Sequence, residues 1–193
     1  MPESTLHDLL NKTAALHDHL CPKQVLGVRM GMHAGEVLEL TLPQQDKRLL
    51  TIVETDGCFA DGIAVSTGCW LGRRTLRCVD YGKVAATFVD THSGEAVRIH
   101  PSETSRQRAH RYAPTAESQW HAYLHGYQLM PIADLLVVNR VCLTVSLEHL
   151  VSSPDRKAVC ATCGEEIING REVMIDDTVM YRGCAGDSYF HLA

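Results

Sequence analysis

Leu49-Leu50-Thr51-Ile52-Val53-Glu54-Thr55-Asp56-Gly57-Cys58-Phe59-Ala60-Asp61-Gly62-Ile63-Ala64-Val65 is the stretch whose reading decides the fold. Its first five residues form a short apolar run of the kind that becomes a buried strand. The polar Glu54-Thr55-Asp56-Gly57 that follows is turn chemistry. Asp56 or Gly57 is well placed to start a helix carrying Ile63, Ala64 and Val65. A strand–turn–helix unit predicts a sheet with helices packed on it, and it leaves Cys58 in the turn.

Downstream, residues 75–79 and 84–89 read as two strands joined by the Asp80-Tyr81-Gly82-Lys83 turn, and 95–99 as another strand. Residues 102 to about 130 are polar, His-rich and helix-compatible, divided by Pro114 and stopped by Pro131. Residues 135–146 are apolar and β-branched, and are expected to be the last core strand. Ser152-Ser153-Pro154-Asp155 reads as a linker between a domain of residues 1–151 and a tail of residues 152–193. Upstream, Ser4 is expected to cap a helix with apolar positions Leu6, Leu9, Leu10, Ala14 and Leu16. Pro22 interrupts it, and a second helix fits Val25, Leu26, Val28, Met32, Val37 and Leu38, ending before Pro43. The sum is an α+β fold: a mixed or antiparallel sheet with N-terminal helices packed on it, plus a small C-terminal zinc-ribbon-like module.

The 193 residues carry a formal net charge of -5, which argues against nucleic-acid binding by bulk electrostatics. No apolar run approaches the roughly 18 residues needed to cross a bilayer, and the first residues lack the basic and apolar regions of a secretory signal. A cytoplasmic protein is expected. Eight cysteines and eleven histidines are the compositional oddity. In a reducing compartment, clustered cysteines point to metal or redox chemistry rather than disulfides.

His17-Asp18-His19-Leu20-Cys21-Pro22 packs two imidazoles and a thiol into five residues. These are the donors zinc prefers, and they also suit other transition metals. If the segment is extended, His17, His19 and Cys21 point the same way; if it is helical, His17 and Cys21 share a face. The alternative is that the histidines are surface residues and Cys21 a small buried hydrophobe. A remote donor is needed in the metal reading; Cys58 is the best candidate, Asp56 and Asp61 weaker ones. At the other end, Cys160-Ala161-Thr162-Cys163-Gly164 is a zinc-knuckle half, but only Cys184 follows where a second C-x-x-C is required.

The first cluster, followed by Leu26-Gly27-Val28-Arg29-Met30-Gly31, resembles the opening of the family typified by the E component of formylmethanofuran dehydrogenase. Asp56-Gly57-Cys58-Phe59-Ala60-Asp61-Gly62-Ile63, Thr67-Gly68-Cys69-Trp70-Leu71-Gly72 and Asp80-Tyr81-Gly82-Lys83-Val84-Ala85-Ala86-Thr87-Phe88 are similar to its later blocks, in the same order. Asp18 stands where the family usually has Gly, and Gly62 where it has Ala. The resemblance implies an α+β metal-binding protein that dimerises, with metal held by His17 or His19, Cys21 and Cys58. It also implies a terminal zinc ribbon in which Cys184 is the final cysteine and Tyr181 replaces the third. Either Asp187, His191 or a donor from elsewhere in the dimer completes that site, or the ribbon has lost its metal and survives as a packed hairpin.

The remaining residues divide. Cys69 is expected to line the site pocket, and Cys78 and Cys142 to sit in the core. His121 and His125, four apart on a helix, lack the glutamate of H-E-x-x-H and read as surface histidines. Arg106, Arg108 and Arg111 read as a solvated basic face able to engage an anionic ligand. Neither a dinucleotide fingerprint nor a P-loop occurs. The reading is a metal-binding, zinc-preferring homodimer with a non-catalytic accessory, sensing or cofactor-handling role and a possible small-molecule or cofactor ligand. The alternative is a metal-dependent hydrolase or lyase with an open coordination position, in which Glu54, Asp56 or Asp61 acts as base.

Overall fold

The computed structural model describes residues 4–151, 153 and 155–191. In chain order the elements are α1 (Leu6–Ala14), α2 (Pro22–Leu38), β1 (Leu49–Val53), α3 (Cys58–Thr67), β2 (Leu76–Cys78), β3 (Ala86–Asp90) and β4 (Ala96–Pro101). They continue with α4 (Ser105–Tyr112), α5 (Gln119–Leu129), α6 (Ile132–Leu135), β5 (Leu136–Arg140), α7 (Leu147–Leu150) and β6 (Lys157–Val159). β7 (Glu166–Ile168), β8 (Val173–Ile175) and β9 (Thr178–Met180) end the series. The chain divides into two compact units after Thr144, so α7 falls with the second. Of the residues read as a linker, Ser152 and Pro154 lie outside those described.

The first unit is built around β1. The five-stranded sheet has the order β2-β1-β3-β4-β5 and is mixed: β1 runs parallel to β2 and antiparallel to β3. The expected hairpin between 75–79 and 84–89 therefore does not form, because β1 lies between the two strands. The turn instead folds over the end of β1, where Tyr81 and Lys83 both donate their backbone N–H to the Glu54 carbonyl at 2.9 and 3.1 Å. The last strand is shorter than its apolar run, and it is an edge strand. β4 begins at Ala96, whose carbonyl accepts from Val141 at 3.0 Å, and beyond that point β5 has no ladder to join.

Thr5 caps α1, not Ser4: its hydroxyl accepts from the Asp8 N–H at 3.2 Å and its own N–H is accepted by the Asp8 carboxylate at 3.1 Å, a reciprocal box. Pro22 occupies the first turn of α2, where its missing N–H costs nothing. α2 packs on β3 and β4 and against α1, α3 and α5. Its approach to α3 is close enough that Gly27 and Gly62 face each other. Arg29, half-buried on α2, closes the C-terminal end of α5 by donating to the carbonyls of Tyr127, Gln128 and Met130 at 2.8–2.9 Å. Phe59, Phe88, Met30, Ile63, Ile99 and Met130 fill the fully buried centre.

The second unit consists of α7 and two hairpins, β6–β7 and β8–β9. A 3.0 Å bond from the Ala161 N–H to the Val179 carbonyl ties the hairpins together. Among its described residues only Cys160 and Ile167 are buried hydrophobics, too few to make a core.

Candidate metal centres and the adjoining cavity

The hairpins of the second unit bring three cysteines to one point. One sulfur each from Cys160, Cys163 and Cys184 lie within 4.8 Å of one another, the group of three or more His, Cys, Asp or Glu donors that converges among the described residues. The knuckle turn after β6 aims backbone N–H groups at Cys160, whose sulfur also accepts from the Tyr181 N–H at 3.3 Å. Those N–H donors, chiefly from Tyr181 and Cys163, pull the Cys160 thiol down to about 6. Burial and thiol contacts with Cys163 and Cys160 push Cys184 up to about 11. Three sulfurs at this spacing suit zinc, whose ribbons use thiolates in C-x-x-C turns. Asp187 does not join them; it pairs with Arg182 at 2.5 Å. Tyr181 contributes its backbone N–H, and its ring lies over Gly183.

In the first unit, the loop between α1 and α2 faces the first turn of α3. Gln24 fixes the loop: wholly buried, it accepts from the Cys21 N–H at 2.7 Å and donates to the Thr13 carbonyl at 3.1 Å. Cys58 and Asp61 occupy the facing turn of α3. The Cys58 thiol is held up by burial and by its hydrogen bond to the Cys21 thiol, so the two sulfurs are neighbours. His17 Nε2 contacts the Asp61 carboxylate at 2.6 Å, and His19 Nδ1 lies 2.7 Å from the His17 carbonyl. The imidazole rings stand edge to face at 5.9 Å. The structure thus pairs Cys21 with Cys58 and His17 with Asp61, and no three of these donors lie mutually within the 4.8 Å found at the second unit. The donor types suit a transition metal.

Cys21 also borders a cavity of about 780 Å³. One wall is aromatic, from Trp120, Tyr123 and Tyr127 of α5, with the Tyr123 and Tyr127 rings parallel at 5.7 Å. Arg98 lines it too, neutralised by a two-pronged bond to the buried Glu54 at 2.6 and 2.7 Å. That pairing, with the guanidinium bond the largest cause, holds the Glu54 carboxyl below its ordinary value. Glu54 is thereby a fixed anion rather than a base poised for proton transfer.

Several expectations fail. Cys69 does not line the pocket; it is 1% exposed, its thiol donating to the Leu49 carbonyl at 3.4 Å beneath β1. Cys78 and Cys142 are exposed, because β2 is an edge strand and 142 lies past the end of β5. His121 and His125 do share a helix face, with rings stacked at 6.2 Å. The sequence reading misses the aromatic wall, although Trp120, Tyr123 and Tyr127 are spaced three and four apart, the signature of one helix face.

The family model described as "FmdE, Molybdenum formylmethanofuran dehydrogenase operon" matches residues 16–136. A probable S-adenosyl-L-methionine-binding protein of Archaeoglobus fulgidus is 39% identical over 102 residues, 51% of this chain and 28% of that protein. The chain therefore spans little more than a quarter of that relative's length. The crystal structure of a tungsten formylmethanofuran dehydrogenase FmdE-like protein from Syntrophus aciditrophicus aligns with TM-score 0.60 at 19% identity, covering 97% of this chain and 96% of that one. That likeness speaks to the fold, while the family match covers well over half of the chain. With its sheet, its helices and its ordered motifs in place, this chain belongs to the FmdE family.

Proposed function

We propose that the chain is a zinc-binding protein acting in a non-catalytic accessory, sensing or cofactor-handling role, as a homodimer in the cytoplasm. The observation that carries the reading is the convergence of Cys160, Cys163 and Cys184 in a unit with almost no apolar core. Such a unit needs a metal to offset its chain entropy. A second ion is held at His17, His19, Cys21 and Cys58, where the Cys21–Cys58 thiol contact supports the assignment. Family membership and the absence of a membrane-spanning helix among the described residues agree with this role. The name of the Archaeoglobus relative fits a cofactor-handling first unit.

The second reading is a zinc-dependent hydrolase or lyase. The observation favouring it is that Cys21 faces a cavity large enough for a substrate. Ligand count separates the two: three protein ligands plus water mark an open site, and four a closed one.

The test is elemental analysis of protein purified without a His tag. Two equivalents of zinc are expected. Cys163→Ser should lose one, and Cys21→Ser and Cys58→Ser should each lose the other. Full metal content in all three variants would overturn the reading.

A further inference from the structure

The cavity beside Cys21 has a chemical character of its own. Lys23 at the start of α2, Lys83 in the turn over β1 and Arg106 at the start of α4 all line it. None of the three forms an ion pair with a carboxylate among the described residues. Glu103, His100 and Arg98, the last paired with Glu54, are the other acidic or basic side chains lining it, and Arg106 also bonds the Tyr127 side chain. Three cations without a carboxylate partner thus face Glu103, in a chain whose net charge is -5. Concentrating cations against the chain's overall sign makes the cavity a local positive well, and its concave walls focus that field.

The opposite requirement comes from α5. Trp120 is 45% exposed, a large apolar surface left outside the core, its ring meeting that of His121 edge-on at 5.0 Å. With Tyr123 it offers ring surface from α5 to the cavity, and Tyr127, only 2% exposed, backs the Tyr123 ring at 5.7 Å. The N-terminal ends of α2 and α4, neither with an acidic residue in its first turn, border the same space and add to the positive potential.

We infer that this cavity binds a small anionic molecule with a planar aromatic body, its acidic group held by Lys23, Lys83 and Arg106 and its rings laid on Trp120 and Tyr123. A volume of about 780 Å³ accommodates a ligand of ordinary cofactor size. Because Cys21 forms part of the wall, the bound molecule would lie beside the first metal centre. The inference rests on the cofactor-handling reading for its biological sense, but not on the metal being present.

The test uses a matched pair of fluorescent probes with the full chain. 8-Anilinonaphthalene-1-sulfonate carries the negative group, and N-phenyl-1-naphthylamine is the same ring system without it. The sulfonate probe should bind with one-to-one stoichiometry and more tightly than the neutral one. Lys23→Glu and Arg106→Glu should each raise its Kd at least about tenfold, leaving the neutral probe's Kd unchanged. Trp120→Ala should weaken both. Since Arg106 also touches Tyr127, Lys23→Glu on a different helix guards against a merely local misfolding. Equal affinity for the two probes, or an unchanged sulfonate Kd in Lys23→Glu, would sink the inference. Repeating the titration on Cys58→Ser separates the two proposals: loss of metal with retained probe binding leaves this one standing, and full metal with no probe binding removes it alone.

Discussion

Gly27 of α2 and Gly62 of α3 meet backbone to backbone: a Cβ on Gly27 would stand 3.0 Å from the Gly62 Cα and 2.3 Å from the Phe59 carbonyl oxygen. One turn further along, a Cβ on Gly31 would strike the Ser66 hydroxyl at 2.0 Å, so the small residues of both helices form one seam. The seam holds the start of α3, and with it Cys58 and Asp61, against the loop that carries His17 and Cys21. Gly62→Ala adds a methyl 2.5 Å from the Gln24 carbonyl, with backbone rather than flexible side chain in its way. It should cost about 3 kcal/mol and lower the first unit's melting temperature by roughly 5–10 °C. Calorimetry measures this, and an unchanged melting temperature would show that the helices separate freely.

Arg29 explains the charged residue within the same glycine-rich motif. It satisfies three carbonyls at the end of α5 that have no other partner in the helix. Arg29→Met keeps the stem but strands those oxygens, and should destabilise by about 3 kcal/mol in urea unfolding. Arg29→Lys should recover little, because one ammonium cannot reach three acceptors in the guanidinium's planar fork.

The sheet's strands and the C-x-x-C half of the three-cysteine cluster are legible because each rests on a local signal. LLTIV is buried almost throughout β1, and the C-x-x-C turn directs its own sulfurs. What is not legible depends on contacts distant in sequence. The Asp80–Lys83 turn looks like a hairpin until the Glu54 carbonyl is seen to hold it over β1. Cys78 and Cys142 look buried because an apolar strand does not announce that it is an edge. Glu54 looks like a candidate base, and only Arg98, forty-four residues away in sequence, reveals it as a committed partner. The cavity's charge likewise gathers Lys23, Lys83 and Arg106 from three separate elements, of which the sequence singles out only Arg106 as a charge, within a solvated basic face.

Metal removal should act on the two units differently. The second unit has Cys160 and Ile167 as its buried hydrophobics, whereas the first has a continuous core from Leu9 to Leu136. Treating the full chain with a strong chelator should expose residues 145–191 to limited proteolysis and leave a resistant fragment ending near Thr144. Readdition of zinc should restore protection. Mass spectrometry of the fragments decides it, and a second unit equally resistant in chelator would mean its hairpins hold without metal.

Two carboxylates tie stability to pH. Glu54 is held below its ordinary value by Arg98, and Asp90, with its side chain 3% exposed, by Arg48 and by the His92 N–H and Ser93 hydroxyl. In both cases the unfolded chain binds protons more readily than the folded one, so the stabilisation is complete above the unfolded values near 4 and drains away as pH falls below them. The urea midpoint should therefore be flat from pH 7 to 5 and drop below about pH 4. Arg98→Met should cost about 3 kcal/mol at pH 7, since it leaves Glu54 buried without its partner. It should also invert the sign of Glu54's contribution. Burial alone raises a carboxyl's pKa, so the folded variant would take up a proton that the unfolded chain does not, and its stability should rise as pH is lowered from 7 to 5. Urea titrations of both proteins across that interval give the answer, and a variant whose stability stays flat there would show that water reaches Glu54 once the guanidinium is gone.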